Sequence, residues 1–169
     1  MRSVLPVLRT FLALVLSCLA LSAQAQLAIE ITGAGANRYP VVIPVFEREG
    51  QLTASITDVV RADLERSGQF RLINLGPLAL PEAQVPDLPA MRKRGADAVL
   101  SGSVIALANG RYEVRFRLFD TQTQLELGAM ALPMTAAQHR LIGHRIADFI
   151  YEHLTGQAGY FSTRIAYVV

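Results

Sequence analysis

The feature that most constrains the fold is a run of alternating side chains over residues 111–132, RYEVRFRLFDTQTQLELGAMAL. Apolar residues alternate with charged ones in its first half, the period of two expected of a strand with one buried and one solvated face. Polar residues 120–124 then supply turn chemistry, and Leu125, Leu127, Ala129 and Ala131 resume the alternation on a returning strand. The pattern predicts a β-hairpin. Because two paired strands alone are marginally stable in water, other segments must cover its apolar face.

The first 25 residues have the three parts of a secretory signal and are set apart from the fold. Arg2 and Arg9 form the basic start, residues 11–21 form an apolar core, and residues 23–25 form a small-x-small cleavage site. This core is shorter than the roughly 20 apolar residues that a membrane span needs, which favours cleavage over an uncleaved anchor. We therefore predict a mature chain that begins at Gln26 and has no membrane span.

Removal of the signal changes both the charge and the cysteine content. The 16 basic residues fall to 14, against 14 acidic ones, so the mature chain has no overall field that attracts nucleic acid or anionic lipid. Cys18, the only cysteine, lies in the signal core, where lipidation is the alternative to an ordinary small apolar role. On the ordinary interpretation the mature chain has no thiol, which excludes disulfides, cysteine nucleophiles and thiolate metal sites.

The remaining sequence alternates between strand and helix patterns, as in α/β proteins. Strands are predicted ahead of the hairpin at residues 40–46, 70–75 and 98–106. Helices are predicted at residues 52–67, 87–95 and 135–156, the last one opening with a Thr-x-x-Gln capping box. Gly102 marks a bulge or a close backbone approach, and Asn109-Gly110 is a turn that leads into the hairpin. We predict an α/β fold with a mixed β-sheet of about five strands, on which two main helices and one short helix pack.

The charged side chains of the predicted helices form no arrangement typical of catalysis or metal binding. His139, His144 and His153 share one helix, but steps of five and nine residues point them in different directions, so they cannot bind one metal. We interpret them as surface or helix-end residues. Asp63 and Glu65 are interpreted as part of a solvated helix face.

Short motifs elsewhere lack the surroundings that their chemistry requires. The Gly-x-Gly at residues 33–35 has no third glycine and no helix after it, which disfavours nucleotide binding. Residues 101–103, SGS, lie within a predicted strand and lack the pattern of a nucleophile elbow. The basic cluster at residues 92–94 has no interleaved aromatic residues. We therefore expect no catalytic residue, no cofactor, no metal and no nucleic-acid partner.

Several stretches of the mature chain resemble the TolB family, the periplasmic proteins of the Tol-Pal system of Gram-negative bacteria. The matching stretches are IPVF at 43–46, DLERSGQF at 63–70, GADAVLSGSV at 95–104, YEVRFRLFDT at 112–121, YEHLTG at 151–156 and FSTRIAYVV at 161–169. The resemblance implies a non-enzymatic periplasmic adaptor that supports outer-membrane integrity and invagination during cell division. It divides the chain into a signal peptide (1–25), an N-terminal arm and tether (26–39), an α/β domain (40–156), and a linker with the start of a truncated propeller strand (157–169).

The resemblance also implies the partners of the chain. The N-terminal arm would bind the periplasmic domain of TolA, and a propeller, if one follows, would bind Pal; we expect a monomer. Independently of the family, Leu27, Ile29 and Ile31 alternate with other residues ahead of a glycine-rich tether, which suits the addition of a strand to a partner's sheet. Pairing within its own domain, or an arm without regular structure, is the alternative. The predicted partner-binding residues are Gln26, Leu27, Ala28, Ile29, Glu30, Ile31, Thr32 and Gly33. The alternative function is a stand-alone periplasmic scaffold domain that assists outer-membrane assembly.

Overall fold

The computed structural model of the chain describes residues 38–163, which form a mixed five-stranded sheet with helices on both faces. The strands are β1 (Tyr39–Val42), β2 (Phe70–Leu72), β3 (Ala98–Ala106), β4 (Arg111–Asp120) and β5 (Glu126–Thr135). The α-helices are α1 (Ile56–Arg66), α2 (Leu88–Lys93) and α3 (His139–Thr155). Short 3-10 turns occupy Glu49–Gln51, Ala108–Gly110 and Ala136–Gln138. The predicted fold class, sheet size and helix content are confirmed.

The strand order is β2-β1-β3-β4-β5, with two kinds of strand connection. We call β1 and β2 the parallel half, because β1 runs parallel to both β2 and β3. We call β4 and β5 the antiparallel half, because they continue from β3 as an antiparallel meander. The turn between β3 and β4 is the predicted one: Asn109 and Gly110 both adopt positive φ, at 62° and 68°.

The main core lies on the face of the sheet that α1 and α3 cover. The core consists mainly of strand residues on that face and of residues from the two helices. They include Val41, Leu100, Val114, Phe116, Leu118, Leu132, Ile56, Val60, Leu64, Ile142, Ile146 and Ile150. A smaller core on the opposite face consists of Val42, Met91, Ala96 and Val99, packed against partly buried Ile73, Leu75 and Leu80. Since successive strand residues point to opposite faces, Val41 and Val42 place α1 and α2 on opposite sides of the sheet.

The first strand is shorter than the predicted 40–46, because the chain leaves β3 after Val42 and rejoins it at Glu47. The Gly102 N–H donates to the Leu80 carbonyl at 2.8 Å, and the Glu47 N–H donates to the Gly102 carbonyl at 2.8 Å. The intervening residues include Pro44, which cannot donate to a ladder. Phe46 packs over Gly102, where an added Cβ would lie 2.2 Å from the ring. The close approach predicted at Gly102 is therefore confirmed.

Helix α1 begins at Ile56 and not at Leu52, because residues before it supply two caps. The Ser55 hydroxyl accepts a hydrogen bond from the Asp58 N–H at 2.9 Å. The buried Glu49 carboxylate accepts hydrogen bonds from the Thr57 N–H and the Thr57 hydroxyl, both at 2.7 Å. These acceptors satisfy donors that the first turn of a helix leaves unpaired, so the helix starts here.

In β5, the returning strand of the hairpin, the residues beyond Leu127 that face the main core are not the predicted ones. Leu118 pairs with Gly128 but Phe119 pairs with Glu126, so Leu127 is an extra residue in the ladder. This bulge shifts the alternation by one residue, which moves every later side chain to the other face. Ala129 and Ala131 are consequently exposed, whereas Leu132 and Met134 enter the main core.

The predicted start and end of the last helix are confirmed. The Thr135/Gln138 capping box is present, with the Thr135 N–H donating to the Gln138 side-chain oxygen at 2.8 Å, and Gly156 ends the helix at φ 73°. Residues 160–163, within the segment predicted as a linker and the start of a propeller strand (157–169), form a turn against α3. Residues 164–169 lie outside the described part of the chain.

Candidate functional site

The predicted partner-binding arm, residues 26–33, lies outside the described residues, so its assignment stays a prediction. The structure does describe the point where the arm's tether meets the domain. Tyr39, the first residue of β1, donates its N–H to the Gln69 carbonyl at 2.8 Å. Its ring lies 6.1 Å from that of Phe70, centroid to centroid. The chain is therefore anchored at Tyr39 by backbone and side chain together.

The described chain leaves the domain beside the same aromatic residues. Phe70 lies 6.0 Å from Tyr151 of α3, and Tyr151 lies 5.5 Å from Tyr160 and 5.8 Å from Phe161. Tyr39, Phe70, Tyr151, Tyr160 and Phe161 thus form a continuous aromatic cluster. Phe70 and Tyr151 are buried, whereas Tyr39 and Tyr160 are 40% and 49% exposed. The two ends of the described chain meet across this cluster.

A single carboxylate holds the exit segment on α3. Asp148 accepts hydrogen bonds from the Phe161 N–H at 2.7 Å and from the Ser162 N–H at 3.0 Å, one on each oxygen. Gly159 packs so tightly on Asp148 that a Cβ there would lie 2.4 Å from its Cα. No sequence pattern pointed to Asp148, since the contact joins a half-buried helical residue to a turn that follows the helix.

Asp63 is buried, and the prediction that it lies on a solvated face is wrong. Helix α3 packs on α1 at this point, so Asp63 is 2% exposed and its Oδ2 lies 2.5 Å from Nδ1 of His144. His144 is also not a free surface residue, since it contributes to the contact between the two helices. The pair is a polar contact inside the interface between the two helices. This structural role accounts for a buried carboxylate without a catalytic one.

The histidines on α3 have separate partners. His139 Nδ1 lies 3.2 Å from the Ala136 carbonyl, and His153 Nδ1 lies 2.8 Å from the Phe149 carbonyl while its ring stacks on that of Phe149. Within residues 38–163, no group of three histidine, cysteine, aspartate or glutamate residues could hold a metal ion. No helix in that part of the chain is long and apolar enough to cross a membrane.

Ser103 of the SGS motif and Arg92 of the basic cluster each have side-chain partners. The Ser103 hydroxyl donates to Glu47 Oε2 at 3.0 Å and accepts from the Glu82 N–H at 3.0 Å. Arg92, in the basic cluster, forms an ion pair with Asp97. Ser103 and Arg92 therefore connect different elements of the domain.

Comparison with known proteins also includes residues outside the described part of the chain. A sequence profile described as the TolB amino-terminal domain matches residues 27–127. The chain is 65% identical over 161 residues to the Tol-Pal system protein TolB of Aromatoleum aromaticum, which covers 95% of this chain and 38% of the relative. It is 68% identical over 139 residues to the Tol-Pal system protein TolB of Azoarcus sp., covering 82% of this chain and 33% of the relative.

A solved structure has a similar fold. The crystal structure of TolB from Acinetobacter baumannii superimposes with a TM-score of 0.65 at 30% identity, over 79% of this chain and 32% of that one. The chain thus spans about a third of the length of the relatives that it matches.

Proposed function

The chain belongs to the TolB amino-terminal domain family, and on that premise we propose that it is a non-enzymatic periplasmic adaptor of the Tol-Pal system. Its arm, residues 26–33, binds the periplasmic domain of TolA. Through that contact it supports outer-membrane integrity and the invagination of the envelope during cell division.

The observation that carries this proposal is the extent of the family match. The match runs from residue 27 to residue 127, so it includes residues 27–33 of the arm as well as the larger part of the domain. Within the arm, Leu27, Ile29 and Ile31 occupy alternate positions, which places them on one face of an extended strand. A strand with one apolar face can add to the edge of a partner's sheet, where backbone hydrogen bonds supply affinity and the side chains supply specificity.

The anchoring of Tyr39 supports the same proposal. Tyr39 is the point at which the tether joins the domain, so a partner bound by the arm is linked to the domain at β1. The aromatic cluster also joins that point to the exit segment held by Asp148. If a propeller follows in the complete protein and binds Pal, the two partner-binding regions are connected through this cluster.

The proposal is tested by titrating the mature chain, from residue 26 onward, with the periplasmic domain of TolA in a calorimeter. Deletion of residues 26–32 is expected to abolish binding. A matched pair separates the two faces of the arm. Ile31→Asp is expected to weaken binding by about tenfold or more, which corresponds to ~1.4 kcal/mol, and Thr32→Asp by less than about threefold.

Equal affinity of the full and deleted chains would contradict the arm model. Equal loss for the two aspartate variants would show that added charge, and not the apolar face, is responsible. Circular dichroism of each variant checks that the α/β domain is intact, since the substitutions lie outside it.

A further inference from the structure

A small cavity of about 170 Å³ lies at the carboxyl ends of β1 and β2. It is lined by Ile43, which follows β1, by Leu72, Ile73 and Asn74 at the end of β2, and by Arg61 and Glu65 of α1. The cavity is separate from the aromatic cluster and is not used by the proposed TolA contact. Its residues come from three different elements, so its shape depends on the tertiary structure.

The topology of the sheet explains why a cavity forms here. The chain leaving β1 leads to α1 on the face of the main core, as shown by Ile56, Val60 and Leu64. The chain leaving β2 leads to α2 on the opposite face, as shown by Ile73, Leu75 and Met91. Two neighbouring parallel strands therefore send their connections to opposite faces, which leaves a crevice between their carboxyl ends. Ligands of open α/β sheets bind at such topological switch points.

A fixed guanidinium group gives this crevice a chemical preference. Arg61 donates from Nε and Nη2 to the Ile43 carbonyl, at 2.9 and 2.6 Å, which holds the planar group against the cavity wall. An arginine side chain carries five N–H donors in a rigid fork. Within residues 38–163, Nη1 of Arg61 has no hydrogen-bond partner and Arg61 forms no ion pair with a carboxylate. The half-buried cation thus has donors left for an anion.

We propose that this crevice is a binding site for a small carboxylate with a short apolar tail. The carboxylate accepts hydrogen bonds from Arg61, an arrangement that suits the geometry of the guanidinium fork. The tail packs on Ile43 and Leu72, and the volume of about 170 Å³ limits it to a few carbon atoms. Glu65, an exposed residue on the rim, opposes an incoming anion and keeps the affinity low. The carboxylate belongs either to a free small molecule or to the carboxyl terminus of a peptide.

The test uses sodium butyrate as the probe, with butyramide as an uncharged molecule of the same shape. Amide chemical shifts of the mature chain are followed by NMR during each titration at constant ionic strength. Butyrate is expected to give saturable shifts at Ile43, Ile73 and Asn74, and butyramide is expected to give none. A third titration uses a dipeptide in two forms, one with a free carboxyl terminus and one that is amidated. If the free form binds more strongly than butyrate, the carboxylate that occupies the site comes from a peptide terminus.

Two variants distinguish a site from general attraction to arginine. Arg61→Gln is expected to weaken butyrate binding by about tenfold or more, but it also removes hydrogen bonds to the Ile43 carbonyl and can loosen the domain. Glu65→Gln is therefore decisive: it removes an exposed anion on the rim and is expected to tighten binding about two- to threefold. Misfolding cannot mimic a gain in affinity. The matched control is Glu152→Gln, an exposed carboxylate on α3 that does not line the cavity.

Three outcomes would overturn the proposal. One is that butyrate and butyramide shift the same residues equally. Another is that the shifts spread over arginines across the surface without saturation. The last is that Glu65→Gln and Glu152→Gln leave butyrate affinity equally unchanged. None of these outcomes bears on the arm, so the proposed TolA contact is tested separately.

Discussion

The two halves of the sheet are buried in different ways, and the difference follows from how their strands are connected. In the parallel half, crossovers carry the chain over both faces, so neighbouring Val41 and Val42 are each only 1% exposed. In the antiparallel half, turns connect the strands at their ends and only one face is covered by a helix. There Phe116 and Leu118 are fully buried, while Arg115 and Ala131 on the other face reach solvent.

The comparison explains two sequence patterns by one cause. A strand covered on both faces reads as a continuous apolar run, as in PVVI at residues 40–43, whereas a strand covered on one face alternates, as in residues 111–118. The charged row on β4 is accordingly the solvated side of a meander and needs no partner to account for it. This leaves the arm, the aromatic cluster and the switch-point crevice as the regions for which a function is proposed.

The largest effect is expected where β1 departs from β3, at Phe46 and Gly102. Phe46→Ala empties the space over Gly102 and is expected to lower the free energy of unfolding by ~3–5 kcal/mol. Gly102→Ala forces the ring aside and is expected to cost ~1–3 kcal/mol. In the double variant the new methyl group enters the space vacated by the ring, so the combined loss is expected to be smaller than the sum.

Urea denaturation of the four proteins measures this coupling. Met130→Ala is the control in the antiparallel half, where the side chain is 38% exposed and the expected loss is below about 1 kcal/mol. If Met130→Ala lowers the free energy of unfolding as much as Phe46→Ala, the two halves do not differ as described. If the loss in the double variant equals the sum of the single losses, Phe46 does not pack closely on Gly102.

An intermediate effect is expected at Glu49, in the crossover that leaves the parallel half. Glu49→Gln replaces a buried carboxylate that accepts two hydrogen bonds from Thr57, and it is expected to cost ~1–2 kcal/mol. Asp58→Asn, in the exposed first turn of the same helix, is expected to cost less than ~0.5 kcal/mol. Thermal unfolding compares them. Equal losses would mean that charge near the helix terminus, and not the buried cap, stabilises α1.

The smallest effects are expected on the open face of the antiparallel half. Arg117 donates from Nε and Nη2 to Glu126, at 2.8 and 2.6 Å, and lies 4.9 Å from the ring centroid of Phe119. Arg117→Gln is therefore expected to cost ~0.5–1 kcal/mol. Arg115→Gln, which breaks only a more exposed pair with Glu113, is expected to cost less than ~0.5 kcal/mol.

A double-variant cycle with Glu126→Gln isolates the Arg117 ion pair in urea denaturation. A coupling energy that shrinks as salt is added supports a solvated ion pair. A loss above about 2 kcal/mol for either arginine would show that this face is covered, and the comparison between the halves would then break down.

Local patterns predicted most of the elements because their determinants are neighbours in the chain. The capping box at Thr135 and Gln138 involves residues three apart, and the turn at Asn109 and Gly110 depends on the φ angles of those residues. Local pattern did not predict the burial of Asp63, since the partner His144 lies 81 residues away. The early end of β1 was also missed, because it depends on the Leu80 carbonyl that takes the Gly102 N–H.

The sequence by itself determined the alternation of strands and helices, the fold class and the family, because each follows from periodicity and from short matching stretches. Tertiary structure alone decided three other features: which face β5 presents beyond Leu127, where the exit segment binds Asp148, and the crevice beside Arg61. The physical reason is the range of the interactions. Periodicity records whether a residue is buried, whereas the residue that it meets depends on how distant segments pack.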